Sequence, residues 1–194
     1  MHVAVITGTT REGRFSERVA RWVVGHLGQR PGWEVEEIDL IDHQLPYFDG
    51  MSPMRTPRQY PDDAVRRVGE AIDRADGFVV LAAEYNHGYP AVLKNMIDWT
   101  WIEWRRKPMT FVGWGNVGGA RAVEQLRLVA VELEVAPLRH AVHILPEVLI
   151  AARSASPDDL SIFEPLTPRL DLLADDLDWW MQALTPARRV PTAP

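Results

Sequence analysis

The chain reads as an α/β protein: a doubly wound, five-stranded parallel sheet with helices on both faces. Three observations predict this class. Short β-branched apolar runs alternate with stretches of helical period, the pattern of parallel strands joined by crossover helices. The 194 residues are 46% hydrophobic, and a chain of this size buries roughly 70% of its unfolded surface in one core. Unusual loops follow the first, third and fourth apolar runs, at the strand ends where a doubly wound sheet binds its ligands.

Each element follows from local pattern. Residues 3–6 (Val-Ala-Val-Ile) form a first strand buried on both faces. Val19, Val23 and Leu27 recur at helical spacing behind Ser16, an N-cap residue type, and give a helix over 16–27. Val35, Ile38 and Leu40 among acids place a second strand over 33–40, near a sheet edge. Pro46, Pro53, Pro57 and Pro61 make 42–61 a long loop. Val65, Val68 and Ile72 mark a helix over 62–75, and the run 78–83 is a central strand. Pro90 opens a helix expected to continue through Leu93 and Ile97 into Trp99, Trp101 and Trp104. A fourth strand over 109–113 is followed by a helix carrying Val123, Leu126, Val129, Ala130 and Leu133. A fifth strand falls at 141–145, and Leu170, Leu173, Leu177, Trp180 and Leu184 mark a last helix. One domain over 1–184 is expected, with 185–194 a disordered tail.

Composition excludes several functions. The chain lacks cysteine, which removes disulfides, Cys-ligated zinc, iron–sulfur clusters and a redox-active cysteine pair. Redox chemistry then requires a bound cofactor. A net charge of −6, with Lys94 and Lys107 the only lysines, argues against a nucleic-acid or anionic-membrane surface. The apolar stretches fall short of the ~20 residues that span a bilayer. With no targeting pattern after Met1, the expected compartment is the cytoplasm.

The loop from Gly8 through Thr9, Thr10, Arg11, Gly13 and Arg14 to Ser16 presents backbone amides and a helix N-terminus, which suits an anionic group. Its plain alternative is a solvated turn. It is not a P-loop, because Arg14 and Phe15 stand where Lys and Ser or Thr belong. It is not a dinucleotide fingerprint, because Thr10 replaces the second glycine. No Tyr-x-x-x-Lys pair of the short-chain dehydrogenases occurs. One phosphate suits it better than a pyrophosphate. The second loop, Glu84, Tyr85, Asn86, His87, Gly88 and Tyr89, has Asn86 and Gly88 as positions for positive φ and could meet a planar heterocycle edge-on. His87 reads either as a proton donor or as a hydrogen-bonded loop residue. The third, from Gly113 and Trp114 through Gly115 to Gly118 and Gly119, packs four glycines into seven residues, as close backbone approach requires.

His140 and His143, three apart in a strand, point to opposite faces and do not form a metal pair. Trp99, Trp101 and Trp104 cannot share one helix face, so at least one is expected to be exposed or to meet a partner chain.

These loops resemble the NADPH-dependent FMN reductases, a family that includes quinone, azo-dye and chromate reductases. The matching residues are Gly8, Thr9, Thr10, Arg11 and Ser16, then Glu84 to Pro90 with Leu93, Lys94, Asn95, Asp98 and Trp99, then Gly115, Gly118 and Gly119. The chain departs at Ala83, where the family has proline, at Gly113 for serine, and at Trp114 for tyrosine. The resemblance implies a flavodoxin-like sheet of order 2-1-3-4-5 and non-covalent FMN, with no metal. It implies phosphate contacts at Thr9, Arg11 and Ser16, with Glu84, Tyr85, Asn86 and His87 along the flavin N5 and O4 edge. Gly115, Gly118 and Gly119 would meet the pyrimidine side, with Trp114 also in the cofactor site, and Arg14 reads either as a contact to the extra phosphate of NADPH or as a solvated arginine. No catalytic acid or base is demanded, because the flavin exchanges hydride with NADPH or NADH and then with a small-molecule acceptor. A homodimer or homotetramer is implied, through the helices after strands three and four and the Trp101 and Trp104 region. The alternatives are an electron carrier and a flavin-binding or sensor protein without NAD(P)H turnover.

Overall fold

The computed structural model describes residues 1–189. Its strands are β1 (His2–Thr7), β2 (Glu34–Asp39), β3 (Gly77–Ala83), β4 (Pro108–Trp114) and β5 (Ala136–Ile144). All pair in parallel, in the order β2-β1-β3-β4-β5, as the resemblance implies. The order reverses between β1 and β3, which opens a crevice above their carboxyl ends.

Six helices cover the sheet: α1 (Ser16–Leu27), α2 (Asp63–Arg74), α3 (Ala91–Asp98), α4 (Ala120–Glu132), α5 (Pro146–Ser154) and α6 (Thr167–Arg189). Alternate residues of each strand serve opposite faces. Ala4 and Ile6 pack with α2, α3 and α4, while Val3 and Val5 pack with α1 and α6. Asp62 caps α2, its carboxylate accepting the Ala64 amide at 2.7 Å.

Four differences from the sequence reading have physical causes. Helix α3 stops at Asp98 and does not carry Trp99, Trp101 and Trp104. The chain turns instead, and the turn lets Trp104 pack fully buried on Phe78, ring centroids 4.7 Å apart. The Trp104 indole donates to Thr100 Oγ1 at 2.8 Å, and Thr100 Oγ1 donates to the Met96 carbonyl at 3.1 Å. Trp104 is thus core and cannot serve as an interface residue; Trp101 is half-buried. Second, β5 begins at Ala136: Arg139 and His140 interrupt its apolar run, and the ladder with β4 shifts register there, Met109 pairing with Pro137 and Phe111 with Ala141. Third, α5 replaces what reads as irregular chain, with Pro146 in its first turn. Fourth, α6 runs to Arg189, and Arg188 pairs with Asp76 at 2.8 Å, so 185–189 are helix and not tail. The expectation for 190–194 lies outside the described residues. Among the described residues, no helix is long and apolar enough to cross a membrane.

Candidate functional site

A cleft of about 630 Å³ opens above the carboxyl ends of the strands, between the start of α1, the β3 and β4 loops, and α5. Its walls include Arg11, Arg14, Glu84, Tyr85, Trp114 and Gly115.

The β1 loop forms one side. The Gly8 amide donates to Leu81 O at 3.1 Å, and a side chain at Gly8 would strike that oxygen and Leu93. Glycine here lets the loop leave β1 against β3 and α3. Ser16 is the first residue of α1 and not its cap: Phe15 holds the cap position, and Ser16 Oγ meets Thr9 Oγ1 at 2.6 Å, both side chains buried. This hydroxyl pair folds the loop back over α1. The amides of residues 10–17 meet no main-chain acceptor among the described residues. They leave a row of free donors at the positive end of a helix. Arg11 projects outward, 6.0 Å from the Tyr85 ring, and has no carboxylate partner among the described residues. Thr10 turns the other way, toward Asn95 and the 42–61 loop.

Arg14 is not a free cation. Its guanidinium, 4% exposed, forks onto Asp39 at the end of β2 and donates to Thr9 O at 2.6 Å and Glu17 at 3.1 Å. The Asp39 bond, against a smaller opposing effect of burial, raises its pKa further. With four of its five N–H donors taken, Arg14 clamps the loop to β2 rather than standing free for a phosphate of NADPH.

The β3 loop is a two-residue hairpin. Tyr85 and Gly88 exchange main-chain bonds of 2.9 and 3.1 Å, with φ of +49° at Asn86 and +74° at His87. Positive φ thus falls on Asn86 and His87, where the sequence had placed it on Asn86 and Gly88. Asparagine tolerates this region; a histidine there is strained by roughly 1 kcal/mol. Helix α4 holds the strain in place, Gln125 donating to His87 O at 2.8 Å and Arg121 to His87 Nδ1 at 3.1 Å. A guanidinium only donates, so Nδ1 accepts and the ring proton of the neutral imidazole sits on Nε2.

Glu84, its side chain 4% exposed, pairs with the Arg121 guanidinium and accepts the Arg121 amide at 3.2 Å. Because Gly119 caps α4 without a side chain, this carboxylate from the neighbouring loop serves as its cap. The Glu84 amide donates to Trp114 O at 2.8 Å, so the two loops are joined from both sides. Gly115 (φ +148°) and Gly119 (φ +71°) are obligatory: a Cβ at Gly119 would lie 2.5 Å from Trp114 N. Gly118 (φ +65°) sits against His143, whose Nδ1 donates to Gly118 O at 2.9 Å. Trp114 ends β4 edge-on to Phe15, centroids 6.1 Å apart, and floors the cleft.

Of the residues singled out in the sequence, the cleft gathers Arg11, Arg14, Glu84, Tyr85, Trp114 and Gly115. Thr9 and Ser16 lie beneath it, Thr10 faces away, and Asn86, His87, Gly118 and Gly119 shape its loops. Sequence reasoning missed Arg121, Asp39, and Leu149, Ala152 and Arg153 of α5. Pro146 followed by an apolar stretch was a signal for α5; nothing local links Glu84 to Arg121.

Fold and cleft together define a doubly wound α/β protein with a row of free backbone amides at its switch point. The chain belongs to the NADPH-dependent FMN reductase family, whose model matches residues 1–148. It is an oxidoreductase, and the family uses FMN with NAD(P)H as electron donor. It is 37% identical over 139 residues to an NAD(P)H-dependent FMN reductase of Schizosaccharomyces pombe, covering 70% of this chain and 69% of that one. A Saccharomyces cerevisiae protein of the same name is 30% identical over 137 residues, 66% of this chain and 72% of that one. Among solved structures, the NAD(P)H:(acceptor) oxidoreductase FerB of Paracoccus denitrificans has the same fold, with a TM-score of 0.70 at 22% identity, covering 94% and 98% of the two chains. Further relatives are named as a 2-hydroxy-1,4-benzoquinone reductase and an azoreductase.

Proposed function

We propose that the cleft holds FMN with its phosphate on the α1 N-terminus and its ring beside Glu84, Tyr85, Trp114 and Gly115, and that it serves a planar acceptor such as a flavin, quinone or azo compound. The observation that carries this is the row of unpaired amides over 10–17 beside Arg11, at the mouth of a cleft floored by aromatic rings. Bound FMN supplies the chemistry, taking two electrons as hydride from the nicotinamide and returning them to the acceptor.

The chain's own residues bind and orient. Free amides and Arg11 fix a phosphate dianion. The Glu84 and Arg121 pair holds the β3 hairpin against α4, so that the loop amides are set before a ligand arrives. Arg153 lines the cleft and, like Arg11, meets neither a carboxylate nor another hydrogen-bond acceptor among the described residues, so it is available to an anionic group of the donor. Within this reading no side chain has to act as acid or base, and nicotinamide and acceptor share one face in turn.

Assembly as a homodimer through α4 accords with its outward face, where Leu128 is 72% and Val131 65% exposed. The test of function is steady-state turnover of FMN-loaded protein with NADPH or NADH against a quinone, an azo dye and free FMN. A shared site gives parallel double-reciprocal lines; intersecting lines for every acceptor would rule out alternating use of one face.

A further inference from the structure

A second pocket, about 360 Å³, lies at the opposite end of the sheet from the cleft, between the end of α2, the turn preceding β4, and the end of α6. In a chain of net charge −6 its wall carries six basic side chains, Arg58, Arg74, Arg105, Arg106, Lys107 and Arg188, against two carboxylates, Asp73 and Asp76. Four of the basic side chains have carboxylate partners within 2.8 Å. Arg106 and Lys107 have none among the described residues.

Two further features point to a missing acceptor. Arg105 and Arg188 each hold a buried Nε–H without a hydrogen-bond partner, although their outer nitrogens are paired. Buried guanidinium donors are ordinarily satisfied, and an orphan is expensive to keep. Lys107, 5% exposed, donates to Ile72 O at 2.7 Å and Asp73 O at 2.9 Å, which leaves its third N–H free. Arg58 and Arg106 both sit at φ +57°, a region non-glycine residues avoid unless their surroundings hold them there. A salt-bridge lattice accounts for the outer nitrogens of the four paired arginines; it leaves the Nε–H groups of Arg105 and Arg188, the exposed Arg106 and the third N–H of buried Lys107 without acceptors, all on residues that line this one pocket.

We propose that this pocket is a binding site for a tetrahedral oxyanion, a phosphate group, separate from the flavin cleft. The shared chemistry fits inorganic phosphate and the phosphate monoester of a small metabolite. The proposal does not depend on how FMN sits in the cleft.

The test is isothermal titration of FMN-saturated protein with inorganic phosphate and with glycerol phosphate, at constant ionic strength and slightly acid pH. FMN saturation keeps the α1 cradle from competing. One saturable site is expected, weakened about tenfold in Arg106→Gln, as for loss of a charge-assisted contact. Arg106→Gly, which relieves the positive φ, gives the same loss and guards against misfolding. Tighter binding of glycerol phosphate identifies the monoester as the ligand; equal binding identifies the ion. Heats that do not saturate, or saturable binding unchanged in both variants, mark an adventitious ion only and overturn the proposal.

Discussion

The Glu84 carboxylate accepts the Arg121 amide at 3.2 Å and pairs with the guanidinium of the same residue, so one side chain from the loop after β3 both caps α4 and neutralises its first turn. Removing Arg121 leaves a carboxylate that is 4% exposed without its cation. Because Arg121 is itself 37% exposed, the loss in Arg121→Gln is about 1–3 kcal/mol, below the cost of breaking a fully buried pair. FMN affinity falls with it, since the hairpin of Asn86 and His87 loses its anchor. Thermal unfolding and flavin fluorescence quenching measure the two effects, and restoration of both by Arg121→Lys would argue that charge alone matters.

Gly119 and Gly13 provide a matched pair. Both have φ above +60°, but a Cβ at Gly119 meets Trp114 N at 2.5 Å, while at Gly13 nothing lies within 4 Å. Gly13→Ala therefore loses only the backbone preference, about 1 kcal/mol. Gly119→Ala adds a backbone clash and is expected to lose at least twice as much stability in urea titration, with weaker FMN binding.

Trp104 and Leu128 separate the core from the proposed interface. Trp104→Ala, at a fully buried position, is expected to lose about 3–5 kcal/mol. Leu128→Asp, on the exposed face of α4, should leave unfolding of the subunit nearly unchanged and shift sedimentation toward monomer. The opposite pattern would place the interface elsewhere.

Much of this arrangement was legible in the sequence because the alternation of strands and helices follows from short-range pattern, while the strand order was implied by the family resemblance. The run 78–83 could only be a central strand, and the glycines at 115, 118 and 119 announced close backbone approach. What stayed hidden depended on partners distant in sequence. Arg14 reads as a free cation until Asp39 comes beside it; Glu84 reads as a ring contact until Arg121 is seen. The tryptophans read as one helix because periodicity does not register that burying Trp104 outweighs another helical turn. Helix α5 announced itself only by Pro146 and the short apolar stretch after it, and none of its residues is buried.

Lys107 predicts a pH dependence. Burial pulls its pKa down to about 7, Arg188 adds to the fall, and Asp73, Asp76 and Glu103 oppose it. In the unfolded chain a lysine titrates near about 10.4. Between those values the unfolded state holds a proton that the folded state lacks, so this group makes stability rise with pH above about 7. Its favourable contribution, complete above the unfolded value, is lost as pH falls through about 7. Lys107→Met should flatten that part of the stability profile and lose about 1–3 kcal/mol at high pH, where the Ile72 and Asp73 carbonyls lose their donor. Chemical denaturation across the neutral to alkaline range reads both effects.

The most direct test of the central claim is the anaerobic absorption spectrum of the purified protein with FMN, recorded before and after NADPH and then NADH. Retained flavin bands that bleach within seconds of adding a nicotinamide donor, and return on adding a quinone, are the predicted result. Flavin that binds and stays oxidised with both donors, or a protein that does not retain FMN at micromolar concentration, would contradict it.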